Sequence, residues 1–424
     1  MIDALFRRLD DRRDALIELT QELVRIPTVN PPGEGYAACA RHLGERLRAS
    51  GFEVAYPRAE GVIGDSDRHP RVNVVARHEG AGPGPCVHFN GHIDVVDAGQ
   101  GWSVDPFAGV VRDGRVYGRG TCDMKGGIAA AVIALESLLE AGIRFPGAIE
   151  LSGTCDEESG GYAGVGFLAH DGWFDPARVD HVIIPEPLDV DRVCLGHRGV
   201  WWAEVETCGR IAHGSMPFLG DCAIRHMGAL LDRIEHRLIP SLRQRQTAMP
   251  VVPDEARRST LNLTAIHGGL PEVIDGLPSP LVPDRCRLLL DRRFLLEEDL
   301  TEVKAEVTSL LDGLVRERPG FRYRLRDVME VLPSQTPPDA PVVQAVAEAI
   351  EQVLHKPPAF IASPGTYDQK HIQRIAHLEG CIAYGPGILE LAHQPDEYIV
   401  IDDLVAASKV MALATLRLLG ALPS

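Results

Sequence analysis

The sequence predicts an α/β protein whose main domain is interrupted by a compact α+β module. Short apolar strands alternate with helical patterns over the first half of the 424-residue chain. From about residue 199 the order becomes strand, helix, strand, strand, helix, strand, which matches a ferredoxin-like module. Near residue 332 the helices and strands of the main α/β domain resume. We therefore predict a discontinuous domain with a central sheet flanked by helices at 1–198 and 332–424, and an inserted domain at 199–331.

The first part of the main domain is defined by periodic apolar residues bounded by glycine and proline. The predicted helices are 11–24, 37–49 and 128–139, and the predicted strands are 72–76, 85–89, 149–153 and 182–184. Residues 110–117 form a predicted hairpin whose two-residue turn is Asp113-Gly114.

The inserted module and the end of the chain follow the same patterns. In the module we predict strands at 200–208, 260–266, 286–294 and 321–328 and helices at 223–237 and 300–316. Beyond a proline-rich loop we predict helices at 342–354 and 402–419 and a strand at 381–384.

Composition narrows the function and the location. The formal net charge of −17 argues against binding to nucleic acid or to anionic membranes. The N-terminus has no apolar signal core, and the longest apolar helix, 128–139, is too short to span a bilayer. Nine scattered cysteines without CxxC pairs fit a reduced compartment. We therefore expect a cytoplasmic protein.

The candidate site begins with His92 and Asp94, at the end of the buried strand 85–89. Strand side chains repeat every two residues, so the two side chains point the same way. Asp94 can then accept a hydrogen bond from one ring nitrogen of His92 and leave the other nitrogen free for a metal ion. For this stretch alone, a structural His-Asp pair is the alternative.

Further acids and a histidine also sit at the ends of predicted elements. They are Asp123, Glu157, Glu158, Glu186 and His393. Singly, each has an ordinary explanation: a helix-start acid, a solvated acidic loop, an acid between prolines, or a surface histidine. Together they are expected to converge, because acids at several strand ends of an open α/β sheet meet in one crevice. Converging carboxylates repel one another unless a cation or protons compensate. Two histidines and several carboxylates are ligands that suit zinc or a similar divalent ion.

The ordered set of motifs resembles the dinuclear zinc amidohydrolases of the M20 peptidase family, over almost the whole chain. The motifs are Gly91-His92-Ile93-Asp94, the glycine-rich residues 118–127, Asp156-Glu157-Glu158, Glu186 and the late His393. The resemblance is closest to the acetylornithine deacetylase and succinyl-diaminopimelate desuccinylase branch. It implies hydrolysis of the amide bond of an N-acylated amino acid by a water that two metal ions activate.

The resemblance also implies a role for each residue of the main domain. Asp123 would bridge two divalent ions, zinc or, as the alternative, cobalt. His92 and Glu186 would complete one metal site, and Glu158 and His393 the other. Asp94 would orient His92, and Glu157 would be the general base and acid.

In the inserted module the resemblance implies a lid and dimerisation domain. His213 would reach the partner's active site in a homodimer and stabilise the oxyanion; from the residues alone, a surface loop histidine is the alternative. Arg293, in preference to Arg292, would bind the substrate carboxylate, and Gly365 and Thr366 would belong to a substrate loop.

Three positions depart from the family pattern, and all lie on the substrate side: Cys222, Leu281 and Pro364. They bear on specificity and leave the metal ligands intact. Two alternatives remain beside the acyl-amino-acid hydrolase. One is a dipeptidase or glutamate carboxypeptidase that uses the same site, and the other is a catalytically inactive binding protein with this fold.

Overall fold

A computed structural model describes residues 1–269 and 280–422. The chain forms two compact units. The first comprises Met1–Gly196, Thr336–Ile361 and Tyr367–Ser424, and the second comprises His197–Gln335 and Ala362–Thr366. The short segment in the second unit carries Gly365 and Thr366.

Eleven α-helices lie in the described ranges. They are α1 Ile2–Asp11, α2 Arg13–Val24, α3 Tyr36–Ala49, α4 Gly126–Glu140, α5 Phe167–His170, α6 Ala223–Arg233, α7 Ile239–Leu242, α8 Leu300–Glu317, α9 Pro341–Leu354, α10 Gln369–Arg374 and α11 Ile401–Leu418. None of these helices has the length and apolar character needed to cross a lipid bilayer.

Eighteen strands lie in the same described ranges. They are β1 Glu53–Ala55, β2 Val74–Glu79, β3 Cys86–His92, β4 Val110–Arg112, β5 Arg115–Tyr117, β6 Ala148–Thr154, β7 His181–Ile184, β8 Arg192–His197, β9 Gly199–Cys208, β10 Ala212–His213, β11 Thr260–Gly268, β12 Leu281–Val282, β13 Arg285–Phe294, β14 Arg322–Val331, β15 Ser334–Gln335, β16 Ala359–Ser363, β17 Cys381–Ala383 and β18 Tyr398–Val400.

The first unit is built on a mixed sheet in which β1, β2, β6, β3, β7, β17 and β8 are successive neighbours. Strands β6, β3, β7 and β17 run parallel to one another, whereas β1, β2 and β8 are antiparallel to their neighbours. The carboxyl ends of four adjacent strands therefore lie along one edge. The predicted α/β class, with a central sheet flanked by helices, is confirmed.

Two apolar helices form much of the core of this unit. Helix α4 is buried from Gly126 to Leu138, because its residues up to Leu135 are all small or apolar and Glu136 is paired with Arg12 and Arg46. The Ser408 hydroxyl of α11 donates to the Ala130 carbonyl of α4 at 3.0 Å, so the two helices are in contact. Strand β3, which leads to the candidate site, is buried along its whole length. The site thus starts from a rigid part of the fold.

The predicted hairpin at 110–117 is confirmed as β4 and β5. Asp113 and Gly114 adopt φ angles of 50° and 72°, the positive values that a tight two-residue hairpin turn requires. Strand β18 pairs with β5, which brings the segment after His393 beside the hairpin.

The second unit has the predicted ferredoxin-like order of elements. Its antiparallel sheet has the strand order β11-β13-β9-β14, with helices α6 and α8 in the connections. Its own core includes Trp201, Leu230, Leu288 and Leu311. Helix α8 is capped by Asp299, whose carboxylate accepts hydrogen bonds from the amides of the first turn.

Several short elements of the first unit were not predicted, and α1 and β8 are two of them. The N-terminal periodicity belongs to two helices, α1 and α2, which break at Arg12 (φ −91°, ψ 12°) instead of one helix from residue 11. Strand β8 was missed because its apolar run is only Val193-Cys194-Leu195, next to Gly196. Strand β8 is stabilised by its pairing with β17, a contact that no local sequence pattern indicates. All nine cysteines are thiols, seven of them buried.

Candidate metal centre

Three adjacent parallel strands of the first unit deliver acids and a histidine to one edge of the sheet. His92 ends β3, and Glu157 and Glu158 lie in the turn that follows β6. Glu186 follows β7, and its amide donates to the Ile184 carbonyl at 2.8 Å. Because β6, β3 and β7 are neighbours, these side chains converge as the sequence predicted.

The converging side chains form two groups that share Asp123. One group is His92, Asp123 and Glu186; the other is Asp123, Glu158 and His393. In each group the three ligand atoms lie within 4.8 Å of one another. Asp123 turns Oδ1 to His92 Nε2 at 3.0 Å and Oδ2 to His393 Nε2 at 3.5 Å. The structure thus brings together all five residues expected to bind metal.

The two groups differ in their access to solvent. His92 is buried, and its Nε2 lies 4.0 Å from Glu186 Oε1. His393 lies 3.1 Å from Glu158 Oε1, yet 47% of its side chain is exposed. His393 also adopts a φ of 64°, a left-handed conformation that costs a non-glycine residue about 1 kcal/mol. One group is therefore enclosed, and the other is open on the histidine side.

The electrostatics of the site indicate excess negative charge. Burial raises the pKa of the Glu158 carboxyl to about 7, and the charge of Asp123 adds to the effect. Burial and Asp123 likewise hold the pKa of Glu186 well above its usual value. Hydrogen bonds to Asp123 and Glu158 raise the pKa of His393 to about 10. Nitrogen and oxygen donors of this kind, crowded and buried, fit divalent cations.

Asp94 is placed differently from the expected His-Asp hydrogen bond. His92 Nδ1 lies 3.0 Å from the main-chain carbonyl of Asp94, whereas the Asp94 carboxylate is 3.6 Å away. The carboxylate is occupied by other donors: it accepts hydrogen bonds from the Glu157 and Glu158 amides, both at 3.1 Å, and from Asn30 Nδ2 at 2.9 Å. Asp94 therefore holds the turn that carries Glu157 and Glu158.

Glu397 plays the same part for Asp123, and the sequence analysis missed it. One oxygen of this buried carboxylate accepts hydrogen bonds from the amides of Gly120, Cys122 and Asp123 at 2.8–3.2 Å. Its other oxygen is 2.5 Å from Arg119 Nη1. The Asp123–Met124 peptide bond in this turn is cis. The only local signal was that Glu397 lies four residues after His393.

Glu157 lies beside the two groups without belonging to either of those found among the described residues. Its Oε1 is 3.1 Å from Nζ of Lys370, whose side chain is only 5% exposed. Lys370 was not singled out from the sequence, although it lies only four residues after Thr366 of the predicted substrate loop. The carboxylate expected to act as base is thus paired with a buried ammonium.

The remaining predicted residues lie in the second unit. Arg292 is fully buried and contacts Glu298 at 2.7 Å, whereas Arg293 is partly exposed and contacts Asp291 at 2.7 Å. Arg198, also missed from the sequence, donates to the Pro364 carbonyl next to Gly365 at 3.0 and 3.1 Å. Burial, with the charge of Arg293, lowers the pKa of Arg198 to about 10. A second arginine therefore lies near Arg293, whose own guanidinium is paired with Asp291.

The other predicted residues of this unit are accessible. Gly365 and Thr366 are partly exposed, and the Gly365 amide donates to the Ser363 hydroxyl at 3.2 Å. His213 is exposed in β10, which pairs with β12, and its Nδ1 lies 2.7 Å from the Ser215 hydroxyl.

Two groups of histidine and carboxylate donors that share one aspartate, at the strand ends of an α/β sheet, are typical of metal-dependent hydrolases. The model of peptidase family M20/M25/M40 matches residues 88–417. The chain therefore belongs to this family, and the resemblance inferred from the motifs is confirmed.

Named relatives are similar in sequence to this chain over nearly its whole length. A succinyl-diaminopimelate desuccinylase of Methylobacterium radiotolerans is 30% identical over 403 residues, which cover 92% of this chain and 93% of the relative. An acetylornithine deacetylase of Myxococcus xanthus is 30% identical over 420 residues, 97% of this chain and 100% of the relative. Human carnosine dipeptidase 1 has the same fold, with a TM-score of 0.77 at 21% identity and 99% coverage of both chains.

Proposed function

We propose that this protein hydrolyses the amide bond of N-acylated amino acids, as a deacetylase or desuccinylase does. The observation that carries the proposal is the shared Asp123 between two donor groups, with Glu157 beside them. The two relatives that are 30% identical over nearly the whole chain are named for such reactions, which favours this substrate class.

Two divalent cations would occupy the site, and we propose zinc, with cobalt as the alternative. His92, Asp123 and Glu186 would hold one ion, and Asp123, Glu158 and His393 the other. When bound, a pair of such ions lowers the pKa of a water molecule and polarises the scissile carbonyl.

The protein's own groups then handle the proton. Glu157 takes a proton from the attacking water onto its carboxylate and delivers it to the nitrogen of the leaving amine. Asp94 supports this step by fixing the Glu157 and Glu158 amides, and its carbonyl fixes the ring of His92. Water that is held beside cations is acidic enough for a weak base, so a carboxylate suits both transfers.

In the second unit we propose that Arg293 binds the substrate carboxylate and that Gly365 and Thr366 contact the substrate. The burial of Arg292 against Glu298 supports this choice, since of the two arginines only Arg293 keeps part of its side chain exposed. The cytoplasmic location expected from the sequence stays a prediction.

We also propose a homodimer in which the second unit acts as lid and dimerisation domain and His213 stabilises the oxyanion of the partner's site. Exposed apolar side chains around His213 support a protein contact there: Ile211, Met216, Phe218 and Leu219 are 41–77% exposed.

Mixing two impaired variants tests the dimer. Glu157→Ala and His213→Ala chains are unfolded together and refolded, so that about half of the dimers are mixed and each mixed dimer has one intact site. We expect the mixture to recover about a quarter of wild-type activity if His213 acts across the interface. The arrangement would be refuted if the mixture recovers no activity. It would also be refuted if the wild-type enzyme is fully active while light scattering gives the mass of a monomer.

A substrate panel tests the proposed function. N-acetyl, N-succinyl, N-formyl and N-carbamoyl amino acids and dipeptides are incubated with the enzyme, with and without Zn²⁺ or Co²⁺, and released amine is measured. We expect cation-dependent release from an acylated amino acid. Release from dipeptides alone would establish the peptidase alternative, and inactivity without bound metal would favour the binding protein.

A further inference from the structure

Lys370 fixes the carboxylate that the proposed mechanism uses as a base. Its Nζ is 3.1 Å from Glu157 Oε1, and the contact joins residues 213 positions apart. The main chain of Glu157 is fixed separately, because its amide donates to Asp94. Glu157 is therefore held at both ends, at its amide by Asp94 and at its carboxylate by Lys370.

The start of helix α10, which carries Lys370, is anchored to the central sheet. Asp368 precedes this helix, is 1% exposed, and accepts a hydrogen bond from Asn90 Nδ2 at 3.0 Å. Asn90 Oδ1 in turn accepts from the Ser152 hydroxyl at 2.7 Å. Asn90 and Ser152 are paired residues of the parallel strands β3 and β6. The position of Lys370 is thus set by the rigid strands that also deliver His92.

The hydrogen bonds that anchor Asp368 continue from Ser152 to His88 and Glu150. His88 Nε2 lies 2.7 Å from the Ser152 hydroxyl, and His88 Nδ1 lies 2.8 Å from Glu150 Oε2. The other oxygen of Glu150 is 2.6 Å from both Arg77 and Arg178. A line of buried hydrogen bonds therefore runs from these arginines to Asp368. This line restrains Asp368 through its Oδ2 oxygen, which accepts from Asn90, whereas its Oδ1 oxygen has no hydrogen-bond partner among the described residues.

Lys370 keeps its charge in this setting. Burial alone would lower its pKa, but the carboxylates of Glu157 and Asp368 outweigh that effect and raise it above the usual value. A buried ammonium next to a carboxylate forms a charge-assisted hydrogen bond, which is stronger and more directional than a neutral one.

We propose that Lys370 is a positioning residue for catalysis: it holds the Glu157 carboxylate in one orientation beside the two donor groups. The inference rests on the proposed function, in which Glu157 moves the proton. Without the ammonium, Glu157 is free to rotate toward solvent or to approach a cation as an additional ligand. In both cases fewer molecules have the base in place when the substrate binds, so kcat falls while KM changes little.

The test compares Lys370→Met, which keeps the length of the side chain, with Lys370→Arg, which keeps the charge. Lys409→Met is the matched control, since the Lys409 ammonium is paired at 2.6 Å with Asp10 on α1 and not with a carboxylate of the site. Kinetics use the acylated amino acid that the panel identifies. Bound metal is counted by mass spectrometry, and folding is followed by thermal unfolding.

For Lys370→Met we expect kcat to fall about 10- to 150-fold, as for one lost hydrogen bond to a charged group, with KM within about threefold. Two metals per chain remain bound. Lys370→Arg recovers most of the rate, and Lys409→Met matches the wild type.

Wild-type kcat in Lys370→Met would overturn the inference, as would a Lys370→Arg enzyme that is as slow as Lys370→Met. If Lys370→Met does not fold, Lys370→Gln, which keeps a hydrogen-bond donor, is judged by the same two comparisons. An active Glu157→Gln enzyme overturns the proposed function together with this inference. An inactive Glu157→Gln enzyme with a fully active Lys370→Met enzyme overturns the inference alone.

Discussion

Replacing Asp94 by asparagine removes one acceptor from beneath Glu157 and leaves the shape of the side chain unchanged. Oδ1 of Asp94 accepts from the Glu157 amide, while Oδ2 accepts from the Glu158 amide and from Asn30. An asparagine has one oxygen and one NH₂ group. The better orientation puts its oxygen at the Oδ2 position, and its NH₂ group then faces the Glu157 amide, donor against donor.

The loss of stability in Asp94→Asn follows from the number of hydrogen bonds that are removed. One hydrogen bond to a charged acceptor is lost and a buried amide is left unpaired, which is worth about 1.5–3 kcal/mol. If the same free energy is added to the activation barrier because Glu157 is displaced, kcat falls about 10- to 150-fold. Asp94→Ala leaves all three donors unpaired and costs several kcal/mol, a large part of the ~5–15 kcal/mol by which domains are stable.

The assay measures kcat, bound metal and urea unfolding for Asp94→Asn and for Asp97→Asn. Asp97 is the control because its carboxylate accepts a hydrogen bond from the exposed Gly99 amide at 2.7 Å, which an asparagine oxygen can also accept. We expect a large loss only at Asp94. Wild-type kcat and stability in Asp94→Asn would refute the idea that this carboxylate holds the base.

Three further predictions concern the same site. Glu157→Ala abolishes turnover but leaves about two metals per chain, because Glu157 lies outside both donor groups; substantial residual activity would exclude it as the base. Gly127→Ala lowers stability by about 1–3 kcal/mol, because its Cβ would lie 2.0 Å from the Pro185 carbonyl beside Glu186, whereas Gly228→Ala, with open space around it, stabilises by about 0.5–1 kcal/mol; equal effects in urea unfolding would contradict this packing. Chelation of the metal lowers Tm more at pH 8 than at pH 5. The pKa of Glu158 is raised to about 7 from 4.5, so the metal-free fold binds more protons than the unfolded chain in that window and loses stability as pH rises through it; an equal fall in calorimetry at both pH values would contradict this.

The parts of the site that follow strands could be predicted because local sequence determines them. The apolar run before His92 sets the strand, its alternation sets the direction of the side chain, and Glu186 follows another apolar run. Parallel neighbours then bring these ends together. The hairpin turn at Asp113 and Gly114 was equally local.

The supporting residues could not be found in this way. Glu397 and Lys370 act on residues 274–277 and 213 positions away, and no pattern in one sequence links such pairs. Asp94 was expected to accept from His92, but the competition of two amides and Asn30 for its carboxylate depends on the tertiary fold.

Arg292 and Arg293 are a case in which a usable signal was present. Strand β13 alternates, with Cys286, Leu288, Leu290 and Phe294 on its buried face. Arg292 falls in phase with them, which predicts a buried arginine that needs an internal partner, and Glu298 supplies it. Arg293 falls on the other face. The period-two pattern alone therefore favoured Arg293 as the more accessible arginine.

Anomalous diffraction at the zinc edge, from crystals of the zinc-loaded protein, tests the central claim most directly. The account predicts two peaks on either side of Asp123, one next to His92 and Glu186 and the other next to Glu158 and His393, with Glu157 bound to neither. A single peak, or peaks that do not share Asp123, would contradict it.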